Sequence, residues 1–197
     1  MIIGICGKSG SGKSTLAKEF MNVYQNNVIH CDIDKIGHYV LTLDVVKNNL
    51  KNSFGASVIK MNKVDRKVLG KIVFDSPKDM EKLTDITWKY MQIEIDKLLS
   101  ENQEKIIILD WQLLPKTKYF QMCDNTILLD VPYEIRKERA MLRDNISEID
   151  FDLREKASYN YENLNFNYVI NNNTKEEVQR LVRIIWQEFF SQEVLIL

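Results

Sequence analysis

No apolar run in this chain of 197 residues approaches the ~20 residues that carry a helix across a bilayer, which argues against a membrane-spanning helix. Charge imbalance is missing too. Lys and Arg number 27 against 28 Asp and Glu, a formal net charge of −1, whereas a nucleic-acid binder shows a basic patch or a high pI. Near-neutrality leaves room for basic clusters around a phosphate site. Cysteine is scarce: Cys6, Cys31 and Cys123 are odd in number and show no C-x-x-C spacing. Cys6 lies inside an apolar run, so a reduced, cytoplasmic setting is expected rather than a disulfide framework. Internal repeats, linkers and low-complexity segments are absent, and strand-like residues begin at once, so no removable signal peptide is expected. What remains is a globular composition, 45% hydrophobic and 28% charged, sufficient for one domain with a sizeable core. The expected partners are small molecules, without nucleic acid, membrane or an obligate protein.

One stretch organises the rest. Gly7 to Ser14 read Gly-Lys-Ser-Gly-Ser-Gly-Lys-Ser, followed by Thr15, and fit the phosphate-loop pattern G-x-x-x-x-G-K-[ST]. Ile2 to Cys6 predict a buried strand and Ser14 to Val23 the helix after it, the context such a loop requires. Gly7, Gly10 and Gly12 let the backbone bring its N–H groups to phosphate oxygens, and the helix N-terminus adds its positive dipole end. Lys13 can reach the β/γ-phosphates and the Ser14 hydroxyl can ligate Mg²⁺. Ser9, Ser11 and Thr15 complete the expected ATP-binding stretch.

Downstream, Asn27 to His30 predict a second strand ending in Cys31-Asp32-Ile33-Asp34. Its acids fall at the carboxyl end of a strand, the ligand side of an open α/β sheet. Asp34 either caps a helix from Lys35 or serves catalysis. From about Ile36 to Ser100 the spacing is helical, with no trusted strand: Leu43 to Phe54, a helix opened by Asp65, and a long one with Pro77 near its start that runs to about Leu99. Such a helical insertion is where small-molecule kinases build the acceptor site. Trp88 is expected to face the core of that long helix, in a stripe with Leu83, Met91 and Ile95. Lys105 to Leu109 predict a buried strand closed by Asp110, either a metal-linked acid of the Walker B kind or an ordinary strand end. Asn125 to Asp130 predict a further strand, and Tyr133 to about Arg143 a helix dense in Arg136, Lys137, Arg139 and Arg143. Arg139 and Arg143, four apart, share a face, suited to a lid over phosphates. Asp144 to Asp152 read as a lid turn with Arg154 on the returning helix. Asn167 to Ile170 predict a last strand. After an asparagine turn, Thr174 opens a closing helix bearing Val178, Leu181, Ile184, Ile185 and Phe189.

Taken together the set resembles the dephospho-coenzyme A kinase family over roughly residues 1 to 186. The family's G-G-I-G-S-G-K-S is matched by Gly7 to Ser14, V-I-D-A-D by Val28 to Asp32, and D-R-x-x-L-x-x-x-V-F by Asp65 to Phe74. Its R-x-x-x-R-D is matched by Arg139 to Asp144, with Ile146, Ser147 and Arg154 at the downstream spacing, and V-I-D-N by Val169 to Asn172. The resemblance implies an α/β P-loop NTPase fold like that of nucleoside-monophosphate kinases. It would have a parallel five-stranded sheet, a helical acceptor region at about 36–100, a lid at about 139–160, and a core at about 1–35, 105–138 and 163–190, as a single kinase domain.

It further implies ATP-dependent phosphorylation of the ribose 3′-hydroxyl of dephospho-CoA with Mg²⁺. Asp32 would be the base, Lys13, Arg139 and Arg143 the catalytic cations, and Asn172 and Asn173 the lining of the adenine pocket. Arg66, Trp88 and Gln112 would contact the acceptor, and Ser14 and Asp110 the metal. The chain departs from the family pattern at His30 (an Asp), at Trp88-Lys89 (His-Pro), over Trp111 to Lys116 of the D-x-P-L-L-x-E segment, and at Ser158 (a Gln). Two alternatives stay open: a kinase of the same fold with another acceptor, and a nucleotide-binding module that transfers nothing.

Overall fold

The computed structural model describes residues 1–74, 76–171 and 174–190. In chain order the strands and helices are β1 (Ile2–Gly7), α1 (Lys13–Tyr24), β2 (Val28–Asp32), α2 (Ile33–Val40), α3 (Asp44–Phe54), β3 (Ile59–Lys60), β4 (Lys63–Val64), α4 (Arg66–Phe74), α5 (Pro77–Glu101), β5 (Ile106–Asp110), α6 (Lys118–Gln121), β6 (Asn125–Leu129), α7 (Tyr133–Asp144), α8 (Glu148–Lys156), β7 (Tyr168–Ile170) and α9 (Lys175–Phe190). They form two compact units, one of Met1–Cys31 with the chain from Gln103 onward, the other Asp32–Asn102.

The first unit is built on a five-stranded parallel sheet in the order β2-β5-β1-β6-β7. Ile3 pairs with Ile108 of β5, and Ile5 with Ile127 of β6. Strands buried on both faces carry unbroken apolar runs, which is why Ile-Ile-Ile-Leu of β5 shows no alternation and is buried throughout. Leu16 and Phe20 of α1 and Val178, Val182 and Ile185 of α9 close on Ile3, Ile5, Ile108 and Ile127. Each fully buried aliphatic side chain contributes roughly 1.5–3 kcal/mol. Ile184, expected in that stripe, is 36% exposed. The α9 stripe instead steps Val178, Val182, Ile185, one face of a 3.6-residue helix.

The second unit packs Val46 and Leu50 of α3, Val58, and Leu69 and Val73 of α4 into its own core. Its 25-residue helix α5 has Pro77 in its first turn, and Ser76 caps it, Oγ accepting the Asp79 N–H at 3.2 Å.

Four expectations need correction. Helix α2 begins at Ile33, capped by Asp32, whose Oδ1 accepts the Lys35 N–H at 3.1 Å, so Asp34 is a first-turn residue and not the cap. The supposedly all-helical stretch contains the hairpin β3–β4, pairing Ile59 with Val64. Its two turn residues, Met61 and Asn62, both have positive φ, 49° and 58°, as a twist-matched two-residue turn requires. The lid turn is shorter than expected, because Ser147 and Asp150 form a reciprocal capping box that starts α8 at Glu148. Finally, the buried line of α5 is Thr87, Met91, Ile95 and Leu99, and Trp88 sits half-buried beside it. Phe189 as a side chain, Asn172, Asn173 and the tail Val194 to Leu197 lie outside what is described.

Candidate active site

The phosphate loop leaves β1 and returns into α1 through glycines in backbone regions closed to other residues. Gly12 caps α1 with φ 93°, its carbonyl accepting from Thr15 N at 2.9 Å and Leu16 N at 3.0 Å. Gly10 has φ +80° and lies directly against the carbonyl of Arg136. The free amides of the first helical turn therefore point out of the loop's mouth. Lys13 folds across that mouth, its Nζ donating to the Gly7 carbonyl at 2.9 Å, which keeps the ammonium beside the position a phosphate takes. Ser11 is buried, Ser9 half-buried and Thr15 exposed.

Ser14, first-turn and exposed, donates its hydroxyl to Asp110 Oδ2 at 2.8 Å. His30 Nε2 approaches the same oxygen at 3.0 Å. With an ionised carboxylate as acceptor, Nε2 carries the proton. Asp110 is buried and His30 nearly so, with side chains 4% and 9% exposed. A hydroxyl and a carboxylate oxygen side by side are the hard donors that suit Mg²⁺. His30 is the signal the sequence understated. It stands where an acid was expected and uses its N–H to hold Asp110.

Over the loop lie the two helices of the expected lid region. Arg136 of α7, one of four basic residues that the sequence places on this helix, is buried. Its Nε donates to Val131 O at 2.8 Å, and its two terminal nitrogens reach Glu155 of α8 at 2.7 and 3.0 Å. Lys8 of the loop joins the same carboxylate at 2.8 Å. Burial alone would raise the Glu155 carboxyl, but the hydrogen bonds from Arg136 and Lys8 outweigh it and hold it below the usual range. Arg139 is half-buried and Arg143 exposed. Arg143 grips Asp144 through two nitrogens at 2.8 and 2.9 Å, and Arg154 reaches it at 2.5 Å. The Arg143 bond, opposed by burial and aided by Arg154, takes the Asp144 carboxyl down to about 2.

Tyr161 is a second feature the sequence reading passed over. Its hydroxyl accepts the Gly7 N–H at 3.2 Å and donates to the Gln112 carbonyl at 2.7 Å, joining the start of the loop to the segment after β5. Burial pushes its phenol well above the ordinary value. Gln112 is thus engaged through its backbone.

In the second unit Asp32 is largely buried, at 16% side-chain exposure, with Lys35 Nζ at 3.1 Å. Arg66 is exposed at the start of α4. Burial, then the Arg66 charge, lower the His38 pKa against the pull of Asp34 and Asp32, so the imidazole is neutral at pH 7. No helix among the described residues is long and apolar enough to cross a membrane.

A family model for dephospho-CoA kinase matches residues 1–177. A dephospho-CoA kinase of Aquifex aeolicus is 31% identical over 198 aligned positions, covering 94% of this chain and 96% of that one. A solved Thermus thermophilus structure superposes with a TM-score of 0.79 at 26% identity, covering 95% of this chain and 97% of that one. A dephospho-CoA kinase from Campylobacter jejuni, at 20% identity and a TM-score of 0.61 over 98% of both chains, shares the fold. The fold is that of the P-loop kinases.

Proposed function

The chain belongs to the dephospho-CoA kinase family, and from that premise we propose that it transfers the γ-phosphoryl group of ATP to the ribose 3′-hydroxyl of dephospho-CoA, giving coenzyme A. The observation that carries the reading is the phosphate loop with Lys13 across its mouth and Ser14 bonded to Asp110.

The chemistry is an in-line displacement. The acceptor hydroxyl loses its proton as its oxygen bonds to the γ-phosphorus, and the bond to the bridging oxygen breaks to release ADP. Asp32 is assigned the proton. It ends β2 two residues after His30, on the same face of the strand by alternation, and its burial keeps water from competing for it. Lys13 offsets charge on the β- and γ-phosphates. Arg139 and Arg143 are assigned the charge that develops on the transferring group, where fixed cations in a closed site count most. Ser14 and Asp110 would hold Mg²⁺, whose chemistry is charge neutralisation across the β- and γ-oxygens. The loop from Gly7 to Thr15, with Ser9, Gly10, Ser11 and Gly12, takes the phosphates. Asn172 and Asn173 are assigned to the base by the family resemblance alone, and Arg66, Trp88 and Gln112 to the acceptor. The proposal includes a single kinase domain, with acceptor region and lid at about 36–100 and 139–160, working in the cytoplasm, where Cys6, Cys31 and Cys123 stay reduced.

The test is ADP release in the presence of dephospho-CoA, with mass spectrometry for a product heavier by one phosphate. ADP released only with a different acceptor from a panel would move the assignment to another substrate, a shift for which Trp88 and the residues after Asp110 supply the motive. No transfer to any acceptor, with ATP still bound, would leave a nucleotide-binding module.

A further inference from the structure

The contacts around Glu155 make a closed ring that the phosphoryl-transfer scheme above does not use. Lys8 leaves the phosphate loop and reaches Glu155 Oε1 at 2.8 Å. The same carboxylate takes two nitrogens of Arg136, at 2.7 and 3.0 Å. Arg136 returns to the loop twice. Its NH1 lies 3.4 Å from the Ser9 carbonyl, and its own backbone carbonyl packs against Gly10 so closely that no side chain fits between them. A third arm, Nε to the Val131 carbonyl at 2.8 Å, ties the guanidinium to the turn after β6. One planar group thus fixes the loop, the end of a central strand and helix α8 at set distances. The side chains of Arg136 and Glu155 are only 6% and 19% exposed. A buried ion pair of this kind adds little net stability over apolar side chains of the same volume, and what it does supply is fixed geometry.

We propose that Glu155 is a positioning residue for phosphoryl transfer. From the second lid helix it holds Lys8 and Arg136, and through them it holds the loop in the geometry that receives the γ-phosphate. The proposal rests on the kinase reading given above. Lid and loop then move as one body, because α8 cannot shift without dragging Lys8 and the Ser9–Gly10 backbone with it. Glu155 also sets the local charge. With it the ring carries two cations and one anion, and without it two cations face the phosphates unopposed. Removing the charge should therefore leave ATP binding intact or tighter while the reacting groups lose alignment, and misplacement by about 1 Å can lower the rate by roughly 10²-fold.

Glu155→Gln keeps the shape and removes the charge. ATP affinity is measured by calorimetry without acceptor, kcat in the ADP-release assay, and folding by thermal melting. The expected result is kcat lower by about tenfold to a hundredfold, with ATP Kd unchanged or tighter. Unchanged kcat overturns the proposal. So does a kcat loss matched by weaker ATP binding and a collapsed melting transition, which would mark the ring as scaffold only. Lys8→Met, at a side chain 34% exposed, opens one arm of the ring and keeps the test decisive if the Gln variant fails to fold. Its kcat must fall too, and the double variant must be no slower than Glu155→Gln alone, since both act through one ring. Additive losses, or an unaffected Lys8→Met enzyme, also overturn it. The wild-type enzyme is the control. If it does not phosphorylate dephospho-CoA, that reading fails, and the same comparison is made on whichever acceptor of the panel it uses.

Discussion

A Cβ on Gly10 would stand 2.2 Å from the carbonyl oxygen of Arg136, so the phosphate loop is seated on the backbone of helix α7. Gly10→Ala must therefore displace one of the two, and it also places a side chain at φ +80°, a left-handed conformation that costs roughly 1–2 kcal/mol. Helix α7 is anchored by Arg136, so the loop is the part that yields. The expected outcome is a folded protein with a modestly lowered melting temperature and ATP affinity weaker by at least about tenfold, on the order of 1.4 kcal/mol. Calorimetric titration of ATP into both proteins checks it.

Asp32→Asn separates two roles of one side chain. Asp32 caps α2 through the Lys35 N–H, and asparagine caps a helix as well as aspartate does, so stability should hold. The lost charge is the proposed base, and kcat should fall by roughly 10²–10⁴-fold, the scale of general-base catalysis, with ATP affinity unchanged. Reduced ATP binding with kcat preserved would make the residue structural.

Where local chemistry decides the structure, the sequence is readable. Ile2 to Ser14 announce strand, loop and helix because each glycine has a backbone reason. Ser76-Pro77 announce α5 because cap and first-turn proline act within four residues. Long-range pairing is harder to see. Arg136 shares its helix with Lys137, Arg139 and Arg143, and only a carboxylate 19 positions away distinguishes it from them. The β3–β4 turn is hidden because Met61 and Asn62 adopt positive φ without the usual glycine, held from outside by Lys47 Nζ on the Asn62 carbonyl at 3.2 Å. On α5 it is Thr87, not Trp88, that joins Met91 and Ile95 on the buried face. Thr87 can be buried because its hydroxyl bonds back to the Leu83 carbonyl at 2.8 Å, which leaves Trp88 on the flank.

That placement changes what Trp88→Ala should do. A fully buried aromatic costs about 3–5 kcal/mol to truncate, and a half-buried one should cost clearly less, about 1–2 kcal/mol on the same scale. If the exposed part of the indole meets the acceptor, as proposed, the acceptor KM rises while the ATP KM does not. Thermal melts and initial rates at varied dephospho-CoA measure both. A loss above about 3 kcal/mol with an unchanged acceptor KM would return Trp88 to the core.

The turn from α7 to α8 carries a pH-dependent clamp. Asp144 has its carboxyl lowered from 3.8 to about 2, chiefly by the Arg143 hydrogen bond and further by Arg154. A depressed folded-state pKa gives stability that is fully present above the unfolded value, near 3.8, and is lost as pH falls through about 2. Wild-type and Asp144→Asn melting temperatures should therefore differ above about pH 4 and converge toward pH 2. Parallel curves throughout that range would mean that the arginines do not hold this carboxylate in solution.

Asp110→Asn tests the metal assignment. The Asp110 Oδ2 atom accepts from both Ser14 and His30, and the amide can still satisfy both neighbours. With its oxygen where Oδ2 stands, it can go on accepting from both the Ser14 hydroxyl and the His30 N–H. The fold should survive, because the Ser14 and His30 donors both keep an acceptor. What disappears is the negative charge beside the Ser14 hydroxyl. If Ser14 and Asp110 hold Mg²⁺, the metal concentration for half-maximal rate should rise by roughly 10- to 100-fold, the usual effect of altering a group that supports a metal site. Nucleotide affinity measured without metal should hold or tighten, since an anion near the phosphates has been removed. A Mg²⁺ titration of the rate and a metal-free ATP titration are sufficient. If the Mg²⁺ curve does not move and only the melting point falls, Asp110 is an ordinary strand end, the alternative that the sequence left open.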